Sequence, residues 1–310
     1  MRYVVIGAGG TGGIIAAALY KSGYDVSLIA RGTHLQKIKE QGLTIKHMWD
    51  EEVENYPIPA FSESDFCETA DVVFVCVKGY SIKDIVPFLN RISREDTLII
   101  PILNVFTTGE TLRSFLPDKY IADGCIYVSA NIDEPGCLLQ HSKVLRIIFG
   151  AGEGQEQREI LDRVQDELLA AGIKAMNSSH IRRDAMKKFC YVSPIGAAGL
   201  YYIASAGAFQ KEGEERDLYI GLMREIELLA EKMGCPFEDD VIGKNLNILD
   251  HQPPEATTSL QRDIAAGKLS EIQEQIYDIP VLGERYGVEL PLYRKVSETM
   301  KLREGGASLN

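Results

Sequence analysis

Three glycines at the spacing G-x-G-x-x-G, Gly7, Gly9 and Gly12, stand in the stretch Gly7-Ala8-Gly9-Gly10-Thr11-Gly12. The chemistry this spacing serves is the holding of a pyrophosphate. Gly7 permits a tight turn off a strand, Gly9 lets the backbone approach the phosphates, and Gly12 lets the following helix pack closely on the sheet. The helix then directs its first N–H groups and the positive end of its dipole at the anion. Glycine is common here, 28 of 310 residues, so the spacing alone is a weak signal. Its place after the apolar run Tyr3 to Ile6 and before the helical run Ile14 to Leu19 is what points to a dinucleotide. A second apolar stretch, Val26 to Ile29, leads into Arg31, 19 residues beyond Gly12. An acidic residue there would bind the 2′-hydroxyl of NAD. An arginine suits the 2′-phosphate of NADP, by charge and by stacking on the adenine. NADP(H) is therefore the expected cofactor.

Other residues with chemistry to offer are dispersed. Lys78 and Asn104 follow two apolar runs, Asp71–Val77 and Thr97–Leu103, at the carboxyl ends where open α/β sheets bind ligands. In the second half, Lys188 opens a long apolar helix, Ser259 begins another helix, and Glu271 lies near the start of a third. A partly desolvated lysine donates a proton readily to a developing alkoxide. A serine hydroxyl can hold a carboxylate, and a glutamate can bind a substrate hydroxyl or orient the lysine. Each has a plainer reading as well. Ser259 and Glu271 also suit helix N-termini, and Lys188 shares its position with a rival, Lys187.

The elements that must position these residues follow from periodicity. Strands and helices alternate through the first half: a helix at Leu35–Gln41, short strands near Ile45, Val53 and Ile58, and a helix from Ile82 to Leu89. Pro101 is awkward within a central strand and marks a bulge or the strand's end. Strands at 124–128 and 144–150 flank a turn at Glu134-Pro135-Gly136, and Ile173–Met176 is placed to close the sheet. The alternation stops near residue 177. The expected fold is α/β: a Rossmann-type NADP-binding domain over 1–177, followed by an all-helical domain over 178–310 for substrate binding and dimerisation, with a cleft between them. The helix from Arg183 to Ile203 is almost wholly apolar after Lys188 and belongs inside that second domain, with Pro194 and Gly196 expected to kink or weaken it. Helices are also expected at 214–233, 241–249, 258–266, 270–286 and 292–302, with a frayed tail at 303–310.

Composition narrows the partners. A net charge of -12 argues against binding a phosphate backbone. No apolar run is long enough to cross a membrane, and no leader precedes the first strand, so a cytoplasmic location is expected. Six cysteines without C-x-x-C spacing are expected to be reduced core thiols, and five histidines form no ligand pair, so no metal is expected. The partner left by this reading is a small molecule.

Taken together, the order and spacing of Gly7-Ala8-Gly9-Gly10-Thr11-Gly12, Ala30-Arg31-Gly32, Val77-Lys78, Leu103-Asn104, Lys188-Phe189, Ser259 with Asp263, and Ser270-Glu271-Ile272 resemble the 2-dehydropantoate 2-reductase (ketopantoate reductase) family over nearly the whole chain. The resemblance implies NADPH-dependent reduction of a 2-oxo acid. It implies Lys188 as proton donor, Asn104 beside substrate and nicotinamide, Ser259 against the substrate, Glu271 on its hydroxyl, and Lys78 near the cofactor; a homodimer is left open. Three positions depart from the family pattern. Val192 and Gly196 stand where asparagines are usual, one and two turns beyond the lysine, and Val105 stands where glycine is usual. Two alternatives remain beside ketopantoate reduction. One is a reductase of a less polar 2-oxo acid or other carbonyl, with a roomier pocket beside Val192 and Gly196. The other is a non-catalytic NADP-binding regulator.

Overall fold

Strand β1, Arg2–Ile6, is buried from Tyr3 onward, as an apolar run between two parallel neighbours should be. The computed structural model describes residues 1–307. After β1 come α1, Gly10–Lys21; β2, Asp25–Ile29; α2, Gly32–Gln41; β3, Leu43–His47; β4, Val53–Tyr56; β5, Ala60–Phe61; and β6, Ala70–Val75. A single 3₁₀ turn, Gly79–Ser81, precedes α3, Ile82–Ile92. Then follow β7, Ser93–Pro101; α4, Thr108–Phe115; β8, Tyr120–Ile121; β9, Asp123–Glu134; β10, Cys137–Gly150; α5, Glu159–Ala170; and β11, Lys174–Asn177.

Six of these strands form a parallel sheet in the order β5-β2-β1-β6-β7-β8. The chain leaves β1 on one side for β2 and returns on its other side as β6, so strand order reverses at β1. In open α/β sheets that reversal is where ligands bind, and Gly7 to Gly12 lie there. Pro101 is the last residue of β7, where a missing N–H interrupts no further ladder. The core on this sheet includes Tyr3, Val5, Leu28, Phe74 and Ile100, all fully buried. Each such side chain contributes roughly 1.5–3 kcal/mol on burial.

The strand at 174–177 does not close this sheet, contrary to the sequence expectation. It pairs in parallel with β10, in a second sheet ordered β11-β10-β3-β4, with β9 antiparallel to β10. The cause is the length of β10. Its first residues, Cys137–Gln140, pair with β3 and its last, Arg146–Phe149, with β11, while β9 runs along its other edge. The turn at Pro135-Gly136 joins β9 to β10, with Gly136 at φ +84°.

The second unit consists of helices: α6, Ile181–Tyr202; α7, Ala206–Phe209; α8, Glu214–Lys232; α9, Val241–Asp250; α10, Ser259–Ala265; a π-turn, Gln273–Tyr277; α11, Asp278–Arg285; and α12, Pro291–Ala307. By contact density the chain divides into Met1–Leu103 with Thr107–Arg182, and Asn104–Phe106 with the chain from Arg183 onward. Helix α6 runs unbroken through Pro194 and is buried throughout 193–200, in a core with Leu222, Met223, Ile226 and Tyr293. The expected single helix at 270–286 instead opens as the π-turn. The expected frayed tail is helical as far as Ala307, with Arg303 donating to the carbonyls of Leu200 and Tyr201; residues 308–310 lie outside the described residues. The six cysteines are thiols, with Cys67 exposed rather than in the core. No helix among the described residues is long and apolar enough to cross a membrane.

Candidate active site

Gly7 follows β1 with φ +103°, a left-handed conformation that a side chain resists, and a Cβ there would lie 2.7 Å from the Cys76 carbonyl oxygen. Gly12, in the first turn of α1, would place a Cβ 2.0 Å from the Gly7 oxygen and 3.0 Å from Val5 Cγ1. The helix can therefore lie on the strand turn only without a side chain there. Gly10 has a similar duty toward the second sheet, where a Cβ would meet the Ala130 oxygen at 2.2 Å. Gly9 is different: nothing lies within 4 Å of its Cβ position. Thr11 is half-buried in the first turn. Helix α1 has no side-chain cap and no acidic residue in that turn. Its leading N–H groups and positive dipole end are left to an anion on the open side of Gly9, so these residues fit a dinucleotide pyrophosphate.

Arg31 is the N-cap residue of α2, exposed, and its guanidinium has no hydrogen-bond or ion-pair partner among the described residues. Lys78 lies further from its strand than the sequence suggested. After β6 ends at Val75, Cys76 still donates to the Ile6 carbonyl, and the chain then turns, with Lys78 as N-cap of the 3₁₀ turn and its carbonyl accepting from Ser81. An acidic pair elsewhere in this unit, Asp133 and Glu134 beside Cys137, is engaged by Lys46, whose Nζ is 2.9 Å from Asp133 and 3.5 Å from Glu134.

In the second unit, Asn104 and Lys188 come together across 84 residues of sequence. Lys188 is only 9% exposed, and its Nζ donates to Asn104 Oδ1 at 2.6 Å. Phe106 packs by Phe189, fixing the short segment to α6. Lys187 is committed elsewhere: it pairs with Asp239, which Lys187 first and Lys244 second hold down to a pKa of about 2. Of the two neighbours, Lys188 is the inward one.

Ser259 is the first residue of α10, but the cap is made by Thr258. Thr258 Oγ1 accepts from the Gln261 N–H at 3.1 Å, and Gln261 Oε1 accepts from the Thr258 N–H at 3.0 Å. Capping therefore does not explain Ser259. Glu271 is 4% exposed, just ahead of the π-turn, and its carbonyl accepts from the Gln275 N–H at 2.9 Å.

These elements converge on one face of α6. Lys188, Val192 and Gly196 recur every four residues and so share that face. A Cβ on Gly196 would lie 3.3 Å from Leu260, and 4.0 Å from both Thr258 Oγ1 and Gln275 Oε1. The space freed at Gly196 is thus bordered closely by α10 and the π-turn, a correction to the roomier pocket expected beside it. Gln275 was missed in the sequence. The available signal was a polar residue four positions beyond Glu271, among the stripe Ile272, Ile276 and Ile279.

The ketopantoate reductase PanE/ApbA model matches residues 3–154, and the model of the ketopantoate reductase PanE/ApbA C terminus matches residues 180–304. An uncharacterised oxidoreductase of Bacillus subtilis, YkpB, is 26% identical over 275 residues, covering 87% of this chain and 88% of that protein. The crystal structure of 2-dehydropantoate 2-reductase from Methylococcus capsulatus superposes with a TM-score of 0.87 at 22% identity, over 100% of this chain and 99% of that one. D-mandelate dehydrogenase, solved with NADH and anilino(oxo)acetate, gives the same TM-score at 20% identity, covering both chains fully. With both halves of the family pattern matched in order, the chain belongs to the ketopantoate reductase (PanE/ApbA) family of NADP-dependent oxidoreductases.

Proposed function

We propose that this protein reduces a 2-oxo acid to the 2-hydroxy acid with NADPH, and that 2-dehydropantoate, reduced to pantoate in pantothenate biosynthesis, is its substrate. The observation that carries the reading is the buried Lys188 ammonium held 2.6 Å from Asn104. Sequestered from water, and aimed by an amide oxygen that cannot take its proton, it is placed to protonate a carbonyl oxygen as negative charge develops there. NADPH, bound over Gly7 to Gly12, supplies the hydride. In this reading Arg31 holds the 2′-phosphate, and Lys78 lies near the cofactor. Asn104 orients Lys188 and contacts substrate and nicotinamide. The Ser259 hydroxyl, left over from capping, binds the substrate carboxylate. Glu271 receives the substrate's hydroxyl.

A less polar 2-oxo acid is the second reading. It is favoured by Val192 and Gly196, which offer α6 no amide beside Lys188. The experiment is NADPH oxidation, followed by its absorbance, with a panel of 2-oxo acids that includes 2-dehydropantoate and phenylglyoxylate. Turnover of 2-dehydropantoate with the others near background supports the first reading. The reverse order supports the second. No turnover with any of them would leave a non-catalytic NADP-binding protein.

A further inference from the structure

Gln275 carries an amide into the interior of the helical unit, where it is 1% exposed. Buried amides are retained where their hydrogen bonds are made. The backbone that bears this one is pinned to α6. Ser193 Oγ, on α6, donates to the Gln275 carbonyl at 2.6 Å and is itself 2.6 Å from the Tyr293 hydroxyl on α12. Gln275 lies in the π-turn, a winding one residue wider than an α-turn that recurs at functional sites. So fixed, the side chain puts Nε2 3.4 Å from Glu271 Oε2, and Oε1 4.0 Å from the Cβ position of Gly196. The amide therefore stands between the Glu271 carboxylate and the face of α6 that carries Lys188. It is also where that face offers only a hydrogen.

A hydroxyl group both donates and accepts. A carboxylate beside an amide N–H complements it, the carboxylate taking its hydrogen and the N–H serving its oxygen. At 3.4 Å the Gln275–Glu271 contact is longer than the about 2.7–3.2 Å of a good N–H···O bond, so a ligand oxygen offers that N–H a better partner. We propose that Gln275 is a specificity-determining residue that holds, together with Glu271, the hydroxyl of a hydroxylated 2-oxo acid. The proposal rests on the reductase reading above, and it selects the hydroxylated class over the apolar one.

Two acids that differ only by that hydroxyl test it: 2-dehydropantoate and 3,3-dimethyl-2-oxobutanoate. A site built to bond a substrate hydroxyl rejects the analogue lacking it, so kcat/KM in the wild type should favour 2-dehydropantoate by about 10² or more. Gln275→Met keeps the length of the side chain and removes the amide. It should lower that ratio about tenfold, through 2-dehydropantoate alone, with the KM for NADPH unchanged. Equal losses on both acids, or an unchanged ratio, would overturn the proposal while leaving the reductase reading intact. The wild-type ratio is a second measurement that needs no variant, and equal efficiency on the two acids also overturns the proposal. Failure of the wild type to reduce either acid, or any other on the panel, overturns the reductase reading and this one with it.

Discussion

On the proposed reading, the two units recognise their ligands by different means. In the first, the glycine turn and the opening of α1 present backbone N–H groups, and side chains matter mainly by their absence at Gly7, Gly10 and Gly12. In the second, the proposed recognition is by side chains delivered from Asn104, α6, α10 and the stretch before the π-turn. A backbone device can be written in six consecutive residues. A side-chain constellation is spread over 168 positions, Asn104 to Glu271 inclusive, and exists only after packing. Changes in the first unit should therefore alter cofactor binding, and changes in the second should alter chemistry and substrate choice.

The sharpest way to break this division is Lys188→Ala. Loss of a general acid should lower kcat by about 10²–10⁴, with the NADPH dissociation constant nearly unchanged by fluorescence titration. A larger loss in Lys187→Ala would mean that the ammonium paired with Asp239, not the one at Asn104, does the chemistry. Arg31→Ala should have the opposite signature. It should weaken NADPH by roughly ten- to a hundredfold relative to NADH, as expected for charge-assisted bonds to a phosphate. Equal loss for both cofactors would remove Arg31 from the 2′-phosphate.

The smallest effect concerns stability alone, in the first unit. Burial pushes the Glu54 carboxyl up, but hydrogen bonds from Lys21, His47 and Tyr56 outweigh this and hold its pKa at about 2. A folded-state pKa below the unfolded value means stabilisation at and above the usual carboxylate range, lost as pH falls toward 2. Glu54→Gln should flatten the acid limb of the melting-temperature profile in that window and leave kcat/KM at neutral pH unchanged. An acid limb identical to the wild type would show that these hydrogen bonds contribute nothing.

Legibility followed the same division. The glycine turn, the strand-end Arg31 and the apolar β1, β6 and β7 were plain in the sequence, because buried parallel strands are continuous apolar runs. Proline's missing donor left Pro101 as either a bulge or a strand end, and β7 ends there, short of the Leu103 expected. The hairpin was under-read: the outer half of β9, Ser129–Glu134, and the middle of β10, Gln140–Lys143, are largely polar and wet on one side. Helix α4 was missed because it buries little beyond Thr108, Gly109 and Leu112. The π-turn has no compositional signature, since it differs from an α-turn only in how far each N–H reaches. With it went Gln275, which a regular helix would aim differently. The surroundings of Gly196 were misjudged for a related reason: a missing side chain reads as space until the neighbouring helix is seen to approach.

Asn104–Phe106 lies in sequence between strands of the first unit but packs with the helices. A fragment begun at the second family segment, near residue 180, would carry Lys188 and leave Asn104 behind. Grafting that helical half onto another cofactor domain would import the ammonium with whatever residue the recipient supplies after the strand that matches β7. The lysine's environment is thus jointly owned, and the two halves cannot be exchanged among relatives as independent cassettes unless this tripeptide travels with the helices.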